Sequence, residues 1–264
     1  MSTKTILSPY ETVQEARNPK RNGIAEYIGE LFDDFVELHG DRLFRDDPSL
    51  VGGMASFHGK TVMVIGHRKG KNTKENIEYN FGMTSPEGYR KGIRLMKMAE
   101  KFGWPVITFV DTPGAYPGLE AESNGQSNAI AQSIACMSAL KVPVISIITG
   151  EGNSGGALAI ATADCVWMLE HAIYAILSPE GFASIMWKDA SRAPEACEIM
   201  KITAKELKEF GLIDDIIPEG DKGMKQLDAM IGKALKRLEK NTPEQLALNR
   251  YEKFRNLDGR CWSL

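Results

Sequence analysis

The chain has 264 residues, 43% hydrophobic and 25% charged, which suits one large domain or two small ones and excludes wholesale disorder. A formal net charge of −3 argues against a protein built to bind nucleic acid, and the longest apolar runs, such as Trp104–Val110, fall far short of the roughly 18 residues a membrane span needs. The opening MSTKTILSPYETVQ holds no apolar signal region, and four cysteines (Cys136, Cys165, Cys197, Cys261), none spaced C-x-x-C, make neither a disulfide framework nor a zinc ribbon, so a reduced, cytoplasmic protein is expected.

Residues 1–50 read as a polar, mostly helical lead-in. Ile24, Tyr27, Ile28, Leu31, Phe35 and Leu38 recur at helical spacing, and Gly40 supplies a stop. From Val51 the pattern changes. Val51–Phe57 and Thr61–His67 are β-branched runs separated by His58, Gly59 and Lys60, which predicts a hairpin. A basic stretch follows to Asn76. Ser85-Pro86 then opens a helix, with Ser85 as cap, Pro86 at the first helical position and Gly103 at the end.

Two strand–turn–helix units come next. Pro105 leads an apolar strand into Asp111-Thr112-Pro113-Gly114-Ala115-Tyr116-Pro117-Gly118, and a helix is predicted from about Gly125 to Leu140. Pro143 leads a second apolar strand into Glu151-Gly152-Asn153-Ser154-Gly155-Gly156, with a helix over Ala157–Ala163. Nearly continuous apolar strands alternating with helices imply strands buried on both faces, hence an α/β fold. Cys165–Leu169 and Tyr174–Leu177 read as short strands, and Ser178–Phe182 repeats the Ser-Pro-Glu-Gly-aromatic helix start of Ser85–Tyr89. Beyond Pro218 the chain turns helical and charged. Met224, Leu227, Met230, Ile231, Leu235 and Leu238 mark one apolar face, and a final helix runs from Pro243 to about Phe254. No linker or low-complexity tract interrupts it. The organisation expected is a lead-in (1–50), a core (51–220) and a C-terminal helical arm (221–264) within one domain.

Three glycine-rich turns compete for a functional reading. Gly66-His67-Arg68-Lys69-Gly70-Lys71-Asn72 is one residue too short for a P-loop and has Asn where the magnesium-binding hydroxyl belongs. What remains is a basic loop, either solvated or touching an anion through Arg68, Lys69, Lys71 or Lys74. Asp111–Gly114 matches a GTPase switch motif, but without a P-loop it has no phosphate cradle. Gly152-Asn153-Ser154-Gly155-Gly156 fits the G-x-S-x-G nucleophile elbow between strand and helix. A serine hydrolase using Ser154 then needs a downstream histidine, and only His171 follows it.

The other reading is backbone chemistry. Helix starts carry unpaired N–H groups and partial positive charge, and Gly155 and Gly156, lacking Cβ atoms, would let a ligand oxygen reach those groups as in an oxyanion hole. The plain alternative is that these glycines serve only close strand–helix packing.

The stretches ITFVDTPGAYPG (107–118), Gln126-Ser127, GEGNSGGALAI (150–160) and SPEGFASIMWK (178–188) closely resemble the alpha subunit of the bacterial acetyl-CoA carboxylase carboxyltransferase. VGG (51–53), IGH (65–67), NFGM (80–83), PEGYRK (86–91) and LID (212–214) resemble it as well, in order, from about residue 8 to about 255. The resemblance implies a crotonase-like fold, a superhelix of ββα units with flanking helices. It implies a carboxyl transfer from carboxybiotin on a carrier protein to acetyl-CoA, giving malonyl-CoA for fatty acid synthesis. The implied partners are a beta subunit bearing a zinc ribbon, in an α2β2 assembly, the biotin carboxyl carrier protein, and biotin carboxylase in the wider complex. Zinc is expected on the beta subunit only, and no cofactor on this chain. In this frame Gly155 and Gly156 supply the oxyanion hole and Gly114 and Ala115 close its other side. Tyr116, Pro117, Gly118 and Ser154 line the biotin pocket, and Arg68, Lys69, Lys71 or Lys74 meets CoA phosphates. The sequence departs from the family's pattern in three places. Many members carry a further helical segment ahead of the matching part, Glu120–Asn128 differs from the acidic and basic residues often found around Gly125-Gln126-Ser127, and Asn153 replaces a frequent glycine.

Overall fold

The computed structural model describes residues 7–220 and 223–257. Helices α1 (Pro9–Ala16) and α2 (Ile24–Leu31) open it. A full capping box starts α1: Ser8 Oγ accepts from the Glu11 amide, and the Glu11 carboxylate accepts from the Ser8 amide. The helix expected to run on towards Gly40 stops at Leu31. Phe32 turns extended, and Asp33–Glu37 forms strand β1. Gly53 makes room for it, since a Cβ there would lie 2.1 Å from the Val36 carbonyl oxygen. Phe35 and Leu38 still pack on the core, so a helix-to-strand junction buries the same positions that a continuous helix would.

Strands β2 (Leu50–Phe57) and β3 (Lys60–His67) pair antiparallel along their whole length. His58 and Gly59 both have positive φ, 49° and 78°, as a tight two-residue hairpin turn requires. The basic stretch contains a short helix, α3 (Thr73–Glu78), that its polarity conceals. Helix α4 (Pro86–Phe102) ends on left-handed Gly103, as the sequence predicts, but the Ser85 side chain makes no capping bond. Then come β4 (Val106–Thr112), α5 (Leu119–Ser123), α6 (Gln126–Ala139), β5 (Val144–Asn153), α7 (Ser154–Leu158), β6 (Cys165–Leu169) and β7 (Ile173–Ala175). The chain finishes with α8 (Pro179–Trp187), α9 (Ala193–Met200), α10 (Ala204–Glu209), β8 (Asp215–Ile217), α11 (Gly223–Leu238) and α12 (Pro243–Arg255).

The sheet runs β1-β2-β3-β4-β5-β6-β8. It is antiparallel from β1 to β3 and parallel from β3 onward. Its centre is dry: every residue of β5 is buried, as the apolar run predicts. Tyr27 of α2 stacks on Phe109 of β4 with ring centroids 5.1 Å apart, and α4 packs on β2 and β3. No helix among the described residues is long and apolar enough to cross a membrane. Cys136, Cys165 and Cys197 are free thiols; Cys261 lies outside the described residues.

The C-terminal helices are stitched into this core. Arg250 of α12 is only 1% exposed. Its guanidinium donates to the carbonyls of Met137 (3.0 Å) and Leu140 (2.7 Å) at the end of α6, and to that of Val142 (3.1 Å). Two further bonds, 3.0 and 2.8 Å, reach the Asp164 carboxylate, which also accepts from the Val144 amide. One side chain therefore satisfies the orphan carbonyls of a helix end and fixes the entry to β5.

Candidate active site

The two glycine turns sit at the C-terminal ends of adjacent parallel strands. β5 pairs with β6 through Ile145–Ile148 and with β7 through Glu151–Asn153, so it bends between two partners. Its register against β4 shifts between Val110 and Thr112. Past β4, Thr112 Oγ1 donates to the Gly114 carbonyl (2.7 Å) and accepts from the Gly114 amide (3.1 Å). Gly114 takes φ 142°, and a Cβ there would meet nothing within 4 Å.

The turns touch. A Cβ on Gly156 would lie 2.7 Å from the Ala115 amide nitrogen, 2.9 Å from the Gly114 carbonyl carbon and 2.9 Å from Tyr89 Oη. At Gly155 it would lie 3.2 Å from Ile130 Cγ2 of α6. The missing Cβ atoms are thus used first for packing: Gly156 admits the neighbouring turn's backbone, where the sequence suggested space for a ligand. No side chain caps α7. The Asn153 side chain is fully buried, with neither polar atom hydrogen-bonded among the described residues.

Ser154 is exposed, with φ 61°. It is the first residue of α7 and not its cap, a role that falls to Asn153. A strained serine between strand and helix is what a nucleophile elbow shows, but the base is absent. Ser154 and Gly155 line a cleft of about 720 Å³ with Leu158, Tyr174, Ile176, Phe182, Phe210 and Phe254 among its walls, and no described histidine lines it. His171 lines a different cleft, and its ring nitrogens face Glu219 and Glu170. His67 is buried, and burial, aided by Lys69, pulls its pKa down to about 3, leaving it neutral.

The basic loop folds inward instead of presenting four cations together. Lys69 Nζ lies 2.8 Å from both Asp111 Oδ1 and Glu151 Oε2. Burial opposes its charge, but those two carboxylates outweigh it and raise its pKa. Glu151 also accepts from Arg17 Nε (2.8 Å), and Arg17 Nη1 reaches Glu180 Oε1 (2.7 Å). Burial opposes the Glu151 charge too, and Lys69 and Arg17 outweigh it. Arg68 pairs with Glu37 at 3.3 Å and lies over the Tyr79 ring; Lys71 pairs with Glu26. Lys74 is exposed, and among the described residues it has no ion pair. The expected CoA-phosphate contact does not suit Lys69, which the two carboxylates already neutralise.

Tyr116, Pro117 and Gly118 are not among the residues lining the cleft beside Ser154. The Tyr116 ring instead folds over Gly118, where a Cβ would lie 2.4 Å from Tyr116 Cε1. Sequence reasoning passed over Tyr89 and Gln126, although both lie in quoted motifs. Tyr89 backs the Gly156 contact, and the Gln126 side chain donates to Thr84 and Tyr116 carbonyls. Elsewhere, Glu170, His171 and Glu219 set three ligand-type atoms within 4.8 Å of one another, but Glu219 already holds the Arg21 guanidinium.

A mixed sheet with two glycine turns abutting beyond adjacent parallel strands is a crotonase-like arrangement. Transcarboxylase 12S has this fold, with a TM-score of 0.70 at 20% identity, covering 91% of this chain and 47% of that one. The Pseudomonas aeruginosa geranyl-CoA carboxylase beta subunit shares it, with a TM-score of 0.68 at 15% identity over 91% and 46%. The chain thus spans about half the length of these solved proteins. A family model described as acetyl co-enzyme A carboxylase carboxyltransferase-like matches residues 2–258, and the chain belongs to that family. The acetyl-coenzyme A carboxylase carboxyl transferase subunit alpha of Clostridium acetobutylicum is 54% identical, over 97% of each chain. Its counterpart in Thermus thermophilus is 50% identical, over 95% of this chain and 83% of that one.

Proposed function

We propose that this chain is the alpha half of an acetyl-CoA carboxylase carboxyltransferase, the half that receives carboxybiotin. The observation that carries the reading, in a chain of this family, is the contact of Gly156 with the Gly114–Ala115 turn. As the carboxyl group leaves N1′ of carboxybiotin, the ureido oxygen gains negative charge. Amides of Gly155 and Gly156 stabilise that oxygen, and Gly114 and Ala115 close the other side. One donor of this kind typically contributes about 2.7–4 kcal/mol to the transition state. N1′ then takes a proton from the acetyl methyl of acetyl-CoA, and the resulting carbanion bonds to the released carbon dioxide to give malonyl-CoA. No side-chain base is required, which agrees with a cleft that no described histidine lines.

The cleft beside Ser154 and Gly155 is within the roughly 300–1,000 Å³ usual for small-molecule sites, and its apolar walls suit a bicyclic ring. Of the basic loop, exposed Lys71 and Lys74 are the candidates for CoA phosphates. The partners are a beta subunit carrying a zinc ribbon, in an α2β2 assembly, with the biotin carboxyl carrier protein and biotin carboxylase, all in the cytoplasm.

Purified alone, the chain is expected to be catalytically silent, because the acetyl-CoA carbanion needs an oxyanion hole of its own on the partner. The check is malonyl-CoA decarboxylation coupled to biotin, run with each chain alone and with the co-purified pair. Substantial transfer by the alpha chain alone would refute the division of labour, and a pair without activity would refute the function.

A further inference from the structure

The Gly114–Ala115 turn is held from both ends. At one end is Thr112, through its two bonds to Gly114. At the other is Gln126, the first residue of α6. Its Nε2 donates to the Thr84 carbonyl at 2.8 Å and to the Tyr116 carbonyl at 3.0 Å. The Thr84 carbonyl also accepts from the Tyr116 amide at 3.1 Å. One side-chain amide therefore spends both its protons tying the segment before α4 to the residue after Ala115.

The anchor at Thr84 is itself fixed. Thr84 is fully buried, and its Oγ1 accepts from Ser49 Oγ at 3.2 Å. The next amide, Ser85, donates to Asp47 Oδ2 at 2.6 Å. Behind the turn stands Tyr89, fully buried, its hydroxyl 2.9 Å from the Gly156 Cβ position and beside the Thr84 side chain. Gln126 Oε1 is buried and has no hydrogen-bond partner among the described residues. The Tyr116 end of the turn is directed by the Gln126 amide.

We infer that Gln126 is a positioning residue for carboxyl transfer: by clamping Thr84 to Tyr116 it aims the Ala115 peptide at the reacting oxygen. The inference rests on the proposal that the Gly114–Ala115 turn closes the oxyanion site. Positioning errors of about 1 Å can cost about 10²-fold in rate, so the clamp acts on turnover and leaves acyl-CoA binding alone.

The test uses the co-purified alpha–beta complex and three variants, Gln126→Leu, Gln126→Glu and Gly156→Val. Gln126→Leu removes both bonds. Gln126→Glu turns an acceptor oxygen on two carbonyls, and only its protonated form restores one donor. Expected are kcat losses of roughly 10- to 100-fold with KM for malonyl-CoA within about twofold and the assembly intact by size-exclusion chromatography. The Gln126→Glu loss is expected to shrink as pH falls, relative to wild type, while the Gln126→Leu loss does not. Unchanged kcat in both Gln126 variants overturns the inference, and so does a loss of activity that only follows dissociation of the complex. If Gly156→Val is impaired while the Gln126 variants are not, the clamp is wrong and the oxyanion reading stands. If all three retain kcat, the oxyanion reading itself has failed.

Discussion

Gly156→Val in the assembled complex is expected to lower kcat by at least about 10²-fold, comparable to losing an oxyanion donor, while the alpha–beta complex still forms. The reason is steric. Gly156 is not among the residues with positive φ, so its need for glycine comes from its neighbours and not from its backbone angles. A Cβ would fall inside contact distance of two backbone atoms of the facing turn and of Tyr89 Oη. Backbone cannot swing aside as a long side chain can, so the Gly114–Ala115 peptide must move. At Gly155 an added Cβ meets only Ile130, at 3.2 Å, and the loss in Gly155→Val should be smaller. Ser154→Ala is the matched control for the nucleophile reading. Its hydroxyl caps nothing, so stability should change by less than about 0.5 kcal/mol and most activity should remain. Abolished activity in Ser154→Ala with a tolerated Gly156→Val would reopen the hydrolase, and a fluorophosphonate probe labelling Ser154 would point the same way.

The largest loss of stability is expected from Arg250→Ala, about 3–5 kcal/mol, the usual cost of removing one partner from a buried ion pair. The substitution strands the α6 end carbonyls and leaves the Asp164 carboxylate with the Val144 amide as its remaining close donor in the core. Arg250→Lys keeps the charge but not the planar fork that reaches the α6-end carbonyls and Asp164 together, and should recover only part of the loss. Urea unfolding of the complex would show this as a lower midpoint. A midpoint unchanged in Arg250→Ala would mean that α12 is docked by its apolar contacts alone.

Much of the fold is legible in the chain. The buried runs of β3, β4 and β5 announce a parallel centre, and Pro86, Pro179 and Pro243 mark helix starts where the structure has them. β1 is hidden because Phe35 keeps helical spacing with Leu31 while lying on a strand, and Leu38, just past the strand's end, continues that spacing. The three residues of β8 and the short helices α5, α9 and α10 give too few apolar repeats to register a period. The glycine turns of the site are legible as motifs, but the reason for Gly156 is not. What fills its Cβ position comes from another strand's turn, and no local pattern reports that. The pairing of Lys69 is hidden in the same way, since Glu151 lies 82 residues further on, so four neighbouring cations read as one patch although three of them are paired with separate acids.

The ionic chain Asp111–Lys69–Glu151–Arg17–Glu180 has a consequence for inheritance. It joins the basic loop, the ends of β4 and β5, the residue closing α1 and the first turn of α8. Three acids and two bases alternate, so losing either base leaves Glu151 with a single counter-charge, in surroundings where an unpaired carboxylate is costly. Across relatives these five positions should change together or not at all. A lineage that replaces Arg17 with a neutral residue should also have neutralised Glu180 or supplied another cation beside Glu151. An alignment in which residue 17 varies freely while Glu151 and Glu180 stay acidic would contradict this coupling.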